Sequence, residues 1–187
     1  MTELRGRRVV LRPAGLDDLD AIVAIRSTPE VRSRWRGDDL RAEFLDDIAA
    51  PDLHLFTVVD ADGTIVGAIQ WAAEEDPDYR HANMDMYLHP AVHGRGYGPD
   101  AVRTLARQLF EAEGHHRLTI DPAADNAAAI RCYGKVGFRP VGVLRQYERG
   151  LDGSWHDGLL MELLAGEIIE SSQDQSSDGQ ISDGQIS

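Results

Sequence analysis

Three glycines fall within five residues in the stretch His93-Gly94-Arg95-Gly96-Tyr97-Gly98. Glycine enters backbone conformations that other residues resist, and a chain turning this tightly leaves amide N–H groups uncovered. Set between a strand and the start of a helix, such amides suit a pyrophosphate, and Arg95 adds a positive charge. The spacing is G-x-G-x-G, not the G-x-G-x-x-G of a dinucleotide fold, and no Lys-Ser/Thr pair follows, so the loop is not a P-loop. Taken alone, the loop also reads as a plain turn.

A second string lies downstream: Asp121-Pro122-x-x-x-Asn126-x-x-Ala129-Ile130-Arg131-Cys132-Tyr133-x-Lys135-x-Gly137-Phe138. With the glycine loop at this distance, it resembles the GNAT acetyltransferase superfamily, over residues 5–165 and most closely over 83–164. The resemblance implies an α/β fold, a mixed central sheet of about seven strands with about four helices on both faces. Strands 4 and 5 of that fold splay apart, and the pantetheine arm of acetyl-CoA lies between them. It implies coenzyme contacts from Tyr87 and Leu88 in the fourth strand, from His93, Gly94, Arg95, Gly96, Tyr97 and Gly98, and from Asn126. It also directs Tyr133 at the thiol sulfur.

Within that superfamily, three details look like the aminoglycoside 6'-N-acetyltransferases. They are Trp35-Arg36-Gly37-Asp38-Asp39, Asn83-Met84-Asp85-Met86 and the long string from Asp121 to Phe138. Two positions depart from that pattern: Met86 stands where Gln often follows the aspartate, and Arg36 stands in place of a second tryptophan. The resemblance implies that Asp85 faces the acceptor amine and that Trp35, Asp121 and Asp157 touch the substrate.

The chemistry agrees. An amine acceptor is an ammonium ion at neutral pH and must lose a proton before attacking a thioester. A carboxylate beside it can bind the cation and take that proton, which makes Asp85 the candidate base. Tyr133 can return a proton to the leaving thiolate, and strand amides can hold the oxyanion. No covalent enzyme intermediate is needed, and Cys132 reads as core filling. The residues alone leave other readings open. Asp85 shares a strand face with Asn83 and Tyr87 and could be an ordinary polar residue there. Tyr133 and Trp35 could be core, and Asp121 could cap a turn before Pro122.

These residues need elements to hold them. Alternation and turn residues predict strands at 8–12, 53–59, 64–71, 83–88, 117–120, 138–144 and 159–164. Apolar periodicity predicts helices at 16–25, 40–48, 99–113 and from 127 through 135, the last capped by Asp125 or Asn126. Residues 1–166 form one acetyltransferase domain in this reading. Residues 167–187, with five acids, no base and a tandem Asp-Gly-Gln-Ile-Ser repeat, read as an acidic low-complexity tail without stable structure.

Composition limits the partners. The net charge of −13 disfavours nucleic acid and anionic membranes and favours a small cationic amine. One cysteine precludes an intrachain disulfide and a thiolate zinc cluster. The pair His115-His116 is expected in a solvated turn, and no metal is expected. Neither a signal peptide nor a membrane span is expected, and the expected location is the cytoplasm. The oligomeric state is left as monomer or homodimer.

The leading function is therefore acetyl-CoA-dependent acetylation of the 6'-amine of an aminoglycoside, a resistance activity. Residues 142–157 also look like the ribosomal-protein alanine acetylases, so a protein N-terminus is a second acceptor class, and a polyamine is a third. A non-enzymatic acetyl-CoA sensor is the alternative of another kind.

Overall fold

The computed structural model describes residues 2–170. The repeated segment at the C-terminal end lies outside them. One eight-stranded sheet is the frame. In spatial order its strands are β1 (Leu4–Arg5), β2 (Val9–Pro13), β3 (His54–Asp60), β4 (Ile65–Glu74), β5 (His81–Leu88), β6 (Arg117–Ile120), β8 (Trp155–Leu164) and β7 (Arg139–Arg149). Neighbours run antiparallel except β5 and β6, which run parallel. The helices are α1 (Leu19–Arg26), α2 (Pro29–Arg32), α3 (Leu40–Ala49), α4 (Tyr97–Glu111) and α5 (Ala127–Gly134).

Two apolar layers bury the sheet. Helix α4 packs Ala101, Val102, Leu105, Ala106 and Leu109 against it, with Met84, Leu118, Ile120 and Tyr133 in the same cluster. Full burial of each large side chain there contributes roughly 1.5–3 kcal/mol. On the opposite face, Ile22 of α1 and Phe44 of α3 close over Leu55 and Ala68. The period-two alternation of β5 divides between the layers. Met84 and Leu88 enter the α4 side, while Tyr87 packs on the α1–α3 side.

The parallel pairing of β5 with β6 is short. Only Ala82↔Leu118 and Asn83↔Thr119 are matched, whereas β4 follows β5 as far as Leu88. Beyond Asn83 the two strands separate, and β6 keeps to β8 through Ile120↔Met161. The expected splay between the fourth and fifth strands is thus the opening between β5 and β6.

The sheet has one more strand than expected, because β1 is only two residues long and offers no alternation to read. Helix α2, a single turn, was likewise hidden in an arginine-rich segment. Strand β7 runs five residues past the expected end, exposed along nearly its whole length, so no apolar pattern marked it. Residues 167–170 lie against the domain: Ile169 N–H bonds to the Val136 carbonyl at 2.8 Å, and Ile169 carbonyl accepts from Arg103 Nε at 2.9 Å.

The histidine pair corrects an expectation. His115 is 3% exposed, not solvated, and sits edge-on to Trp71, which stacks on His54 at 4.0 Å. The end of α4 draws it inward, with His115 N–H bonded to the Leu109 carbonyl. Neither ring nitrogen has a partner among the described residues, and burial lowers the pKa of the ring. No helix is long and apolar enough to cross a membrane among the described residues.

Candidate active site

The opening between β5 and β6 frees one edge of β5. His89 N–H bonds to Val66 carbonyl on the β4 side, so strand alternation points the N–H and C=O of Met86 and Leu88 toward the opening. Two of these groups have local partners. Met86 N–H donates to Asp85 Oδ1 at 2.8 Å, and Leu88 carbonyl accepts from His93 Nε2 at 3.1 Å. That second contact fixes the tautomer: Nε2 carries the proton. The other strand-edge groups face the opening without a ladder partner, which is what an extended amide-bearing ligand needs.

The glycine loop stands at the end of this edge. Gly94 and Gly96 both have positive φ, +76° and +84°, and Gly96 is the N-cap of α4. The amides of Gly94, Gly96, Tyr97 and Gly98 have no backbone partner among the described residues. They lie at the positive end of a 15-residue helix. A Cβ added at Gly94 would meet open space, so its side of the loop is clear for a ligand. A Cβ at Gly98 would lie 2.9 Å from Cys132 Sγ. Gly98 therefore lets α4 and α5 touch, and Cys132 is packing material there. Burial pushes its thiol up to about 11, which withholds the thiolate.

Asn126 is the N-cap of α5, its Oδ1 accepting from Ala129 N–H at 3.1 Å. That cap orients the helix and places Tyr133, 5% exposed, in the α4-side cluster. The Tyr133 hydroxyl has no hydrogen-bond partner among the described residues, and burial raises its pKa well above 10, with Asp85 the next contributor. Asp85 and Tyr87 project from the opposite face of the sheet. Burial pushes the Asp85 carboxyl up from 3.8 to about 7; the Met86 N–H pulls it down, and the charges of Asp121 and Glu148 raise it further.

A short, well-anchored segment flanks Asp85. Trp35 meets the Tyr87 ring edge-on at 4.7 Å. The segment from Arg36 to Asp39 is organised by Arg26, which is 2% exposed. One of its nitrogens, Nη2, donates to Arg36 carbonyl at 2.8 Å and to Glu43 Oε2 at 2.7 Å, while Glu43 Oε1 accepts from Asp38 N–H. Gly37 is required in this turn, since a Cβ would come within 2.8 Å of the same guanidinium. Two further contacts tie the segment across the cleft: Arg34 pairs with Asp125, and Arg36 Nη1 donates to Arg149 carbonyl at 2.8 Å.

The far wall is the β7–β8 hairpin. Its register slips between Leu144 and Glu148, where Gln146 takes a positive φ of 51°. Asp157 Oδ1 accepts from Gln146 N–H at 2.7 Å and so holds the kink. That carboxylate, expected at the substrate, is thus engaged in shaping the strand. Tyr147 donates its hydroxyl to Asp121 Oδ2, which raises the phenol to about 12. Glu148 has no hydrogen-bond or ion-pair partner among the described residues, and lines a cavity of about 290 Å³ with Arg34, Asp125, Asp152 and His156.

The structure thus gathers Asp85, Asp121, Trp35 and Tyr87 on one side of the opening, with Tyr133 on the other and the glycine loop at its end. Tyr147 and Glu148 were not found from sequence. The β-strand that carries them has no alternation, and only the kink at Gln146 brings them to the cleft.

Comparison with known proteins agrees with this architecture. The profile of the acetyltransferase (GNAT) domain matches residues 8–139. A kanamycin resistance protein of Rhizobium radiobacter is 34% identical over 74 residues, 40% of this chain and 68% of that protein. An aminoglycoside N(6')-acetyltransferase type 1 of Klebsiella pneumoniae is 37% identical over 75 residues, and the match spans only 36% of that enzyme. The N-alpha-acetyltransferase RimI of Mycobacterium tuberculosis is 30% identical over 109 residues, 58% of this chain and 66% of that protein. Among solved structures, a spermidine N-acetyltransferase from Vibrio cholerae in complex with CoA and spermine superposes with a TM-score of 0.74 at 22% identity, covering 86% of this chain and 97% of that one. Mycobacterium smegmatis RimJ in complex with CoA-disulfide gives 0.75 at 23%, covering 90% and 88%. At these identities the solved structures establish the fold.

Proposed function

The chain belongs to the acetyltransferase (GNAT) family, and we propose that it acetylates a polycationic amine, the 6'-amine of an aminoglycoside first among the candidates. One observation carries this reading: a half-buried carboxyl, Asp85, stands at the opening beside β5 with two more acids, Asp121 and Glu148, close enough to raise its pKa. A cleft with this charge selects a ligand with more than one positive group.

The residues fit acetyl-CoA. The loop amides and the α4 N-terminus take its phosphates, and Gly94 leaves the space open. The free edge of β5 takes the amides of its arm, with Tyr87 and Leu88 bordering that edge. The coenzyme supplies the acetyl thioester; the rest falls to the chain. Asp85 binds the acceptor ammonium and takes its proton, a task that suits a carboxyl with a pKa near neutrality. Trp35 gives the acceptor an apolar wall. Asp121, held by Tyr147, and Glu148 bind its further charges. The Tyr133 hydroxyl, unpartnered among the described residues, donates a proton to the departing sulfur. The Leu88 N–H on the freed edge of β5 stabilises the oxyanion.

A linear polyamine satisfies the same carboxylates and is the second reading. A peptide N-terminus presents a single ammonium and makes no use of Glu148. Thiol release from acetyl-CoA with purified protein tests all three. Turnover on aminoglycosides bearing a free 6'-amine, with none on analogues lacking it, is the expected result. Turnover confined to an Ala- or Ser-starting peptide would overturn the polycation reading.

A further inference from the structure

Arg8 lies just before β2, more than 80 positions from the glycine loop, yet its side chain rests on that loop. A Cβ built at Gly96 would be 3.4 Å from Arg8 Nε and 3.5 Å from its Cδ. Those are ordinary contact distances, so the two groups lie side by side at the cap of α4, where the positive φ of +84° is what calls for glycine. The backbone at Arg8 is fixed to the same helix: Arg8 N–H donates to Asp100 Oδ2 at 2.7 Å, and Val9 N–H donates to the same oxygen at 3.2 Å. Asp100 is 6% exposed, in the first turn of α4. Gly6 completes the seat, since a Cβ there would fall 2.5 Å from that carboxylate oxygen.

The electrostatics of this arrangement are unusual. A helix N-terminus repels a cation. Arg8, an exposed residue, nevertheless keeps its guanidinium beside the N-cap. Its guanidinium has no hydrogen-bond or ion-pair partner among the described residues. Asp100, the acid nearest in the helix, spends its oxygen on two backbone amides. The layout becomes favourable when an anion sits between guanidinium and amides.

We infer that Arg8 is a coenzyme-binding residue, whose guanidinium contacts a phosphate group of the coenzyme together with the amides of the loop. This rests on the assignment of the loop to acetyl-CoA. The phosphate is either part of the pyrophosphate or the 3'-phosphate of the ribose; both offer the same chemistry to a guanidinium.

Calorimetric binding to CoA, 3'-dephospho-CoA and pantetheine tests the inference with wild type, Arg8→Ala and Arg8→Gln. Loss of a charge-assisted contact weakens CoA about 10- to 100-fold, with pantetheine unchanged. An equal loss for dephospho-CoA identifies the pyrophosphate; a loss confined to CoA identifies the 3'-phosphate. CoA affinity unchanged in both variants would overturn the role of Arg8 and leave the loop assignment standing. A matching loss for pantetheine would also overturn it, because the damage would then not concern phosphate. Failure of the wild type to bind CoA would remove the loop assignment itself and this inference with it.

Discussion

The Tyr147 hydroxyl donates a hydrogen bond to Asp121 Oδ2, joining the exposed hairpin strand β7 to the loop that follows β6. The phenol orients a carboxylate that the proposed function puts on the acceptor side of the opening. Replacement of Tyr147 by Phe keeps the ring and removes the bond. We expect KM for a polycationic acceptor to rise several-fold, with kcat within about twofold, the pattern of lost uniform binding. The melting temperature should hold, since Tyr147 is 50% exposed. Steady-state kinetics on Tyr147→Phe decide the point, and a fall in kcat at constant KM would contradict it.

The pH profile follows from Asp85. Its carboxyl is raised to about 7 by burial, so the protonated form, which could not serve as the proposed base, dominates below that pH. The acceptor-dependent kcat/KM should therefore climb with pH through about 7. Asp85→Asn should lower kcat by about a hundredfold or more and remove that limb. Asp121→Asn and Glu148→Gln each delete a negative neighbour, so each should move the limb to lower pH. A limb that stays in place in both variants would show that another group titrates.

Stability carries the same signature. A carboxyl raised in the folded state resists ionisation there, so wild type loses stability relative to Asp85→Asn as the pH rises from about 4 through 7. Urea unfolding at pH 5 and pH 8 measures the difference, and Asp85→Asn should gain more at pH 8.

His115 works in the opposite sense. Its folded-state pKa is depressed by burial, so the unfolded chain binds the proton more readily. Stability should fall as the pH drops below the ordinary histidine value of about 6.5. Replacing His115 with Leu should flatten this acid slope. Denaturation midpoints between pH 5 and 8 read it directly.

Gly98 and Cys132 form a packing pair. Gly98→Ala overfills the contact and should cost about 1–3 kcal/mol. The double variant with Cys132→Ala should recover most of that loss and keep CoA binding. Thermal melts of the two single variants and the double variant measure the coupling.

Much of this was legible in the sequence, for physical reasons that differ by element. The glycine loop announced itself because only glycine tolerates the φ values at positions 94 and 96. Asn126 was readable as a cap because side-chain oxygen at that position satisfies a free amide of α5. The face shared by Asp85 and Tyr87 followed from strand alternation. Other features depend on contacts between distant parts of the chain. Nothing local marks Arg8 as a neighbour of Gly96, or Arg26 as the anchor of the turn at Gly37. His115 looked solvated because adjacent histidines usually are, and only the packing of Trp71 shows otherwise. Glu148 was invisible because a kinked, exposed strand leaves no periodicity.

The ties across the acceptor cleft, Arg34 to Asp125 and Arg36 to the Arg149 carbonyl, join residues 91 and 113 positions apart. The donor side, by comparison, is drawn mostly from the continuous stretch between β5 and α5. Asp85, Asp121 and Asp125 belong to that same stretch, whereas Trp35 and the β7–β8 hairpin lie outside it. Under the proposed function, substitutions near Trp35 or within the β7–β8 hairpin would alter the acceptor side while leaving the loop proposed for the coenzyme untouched.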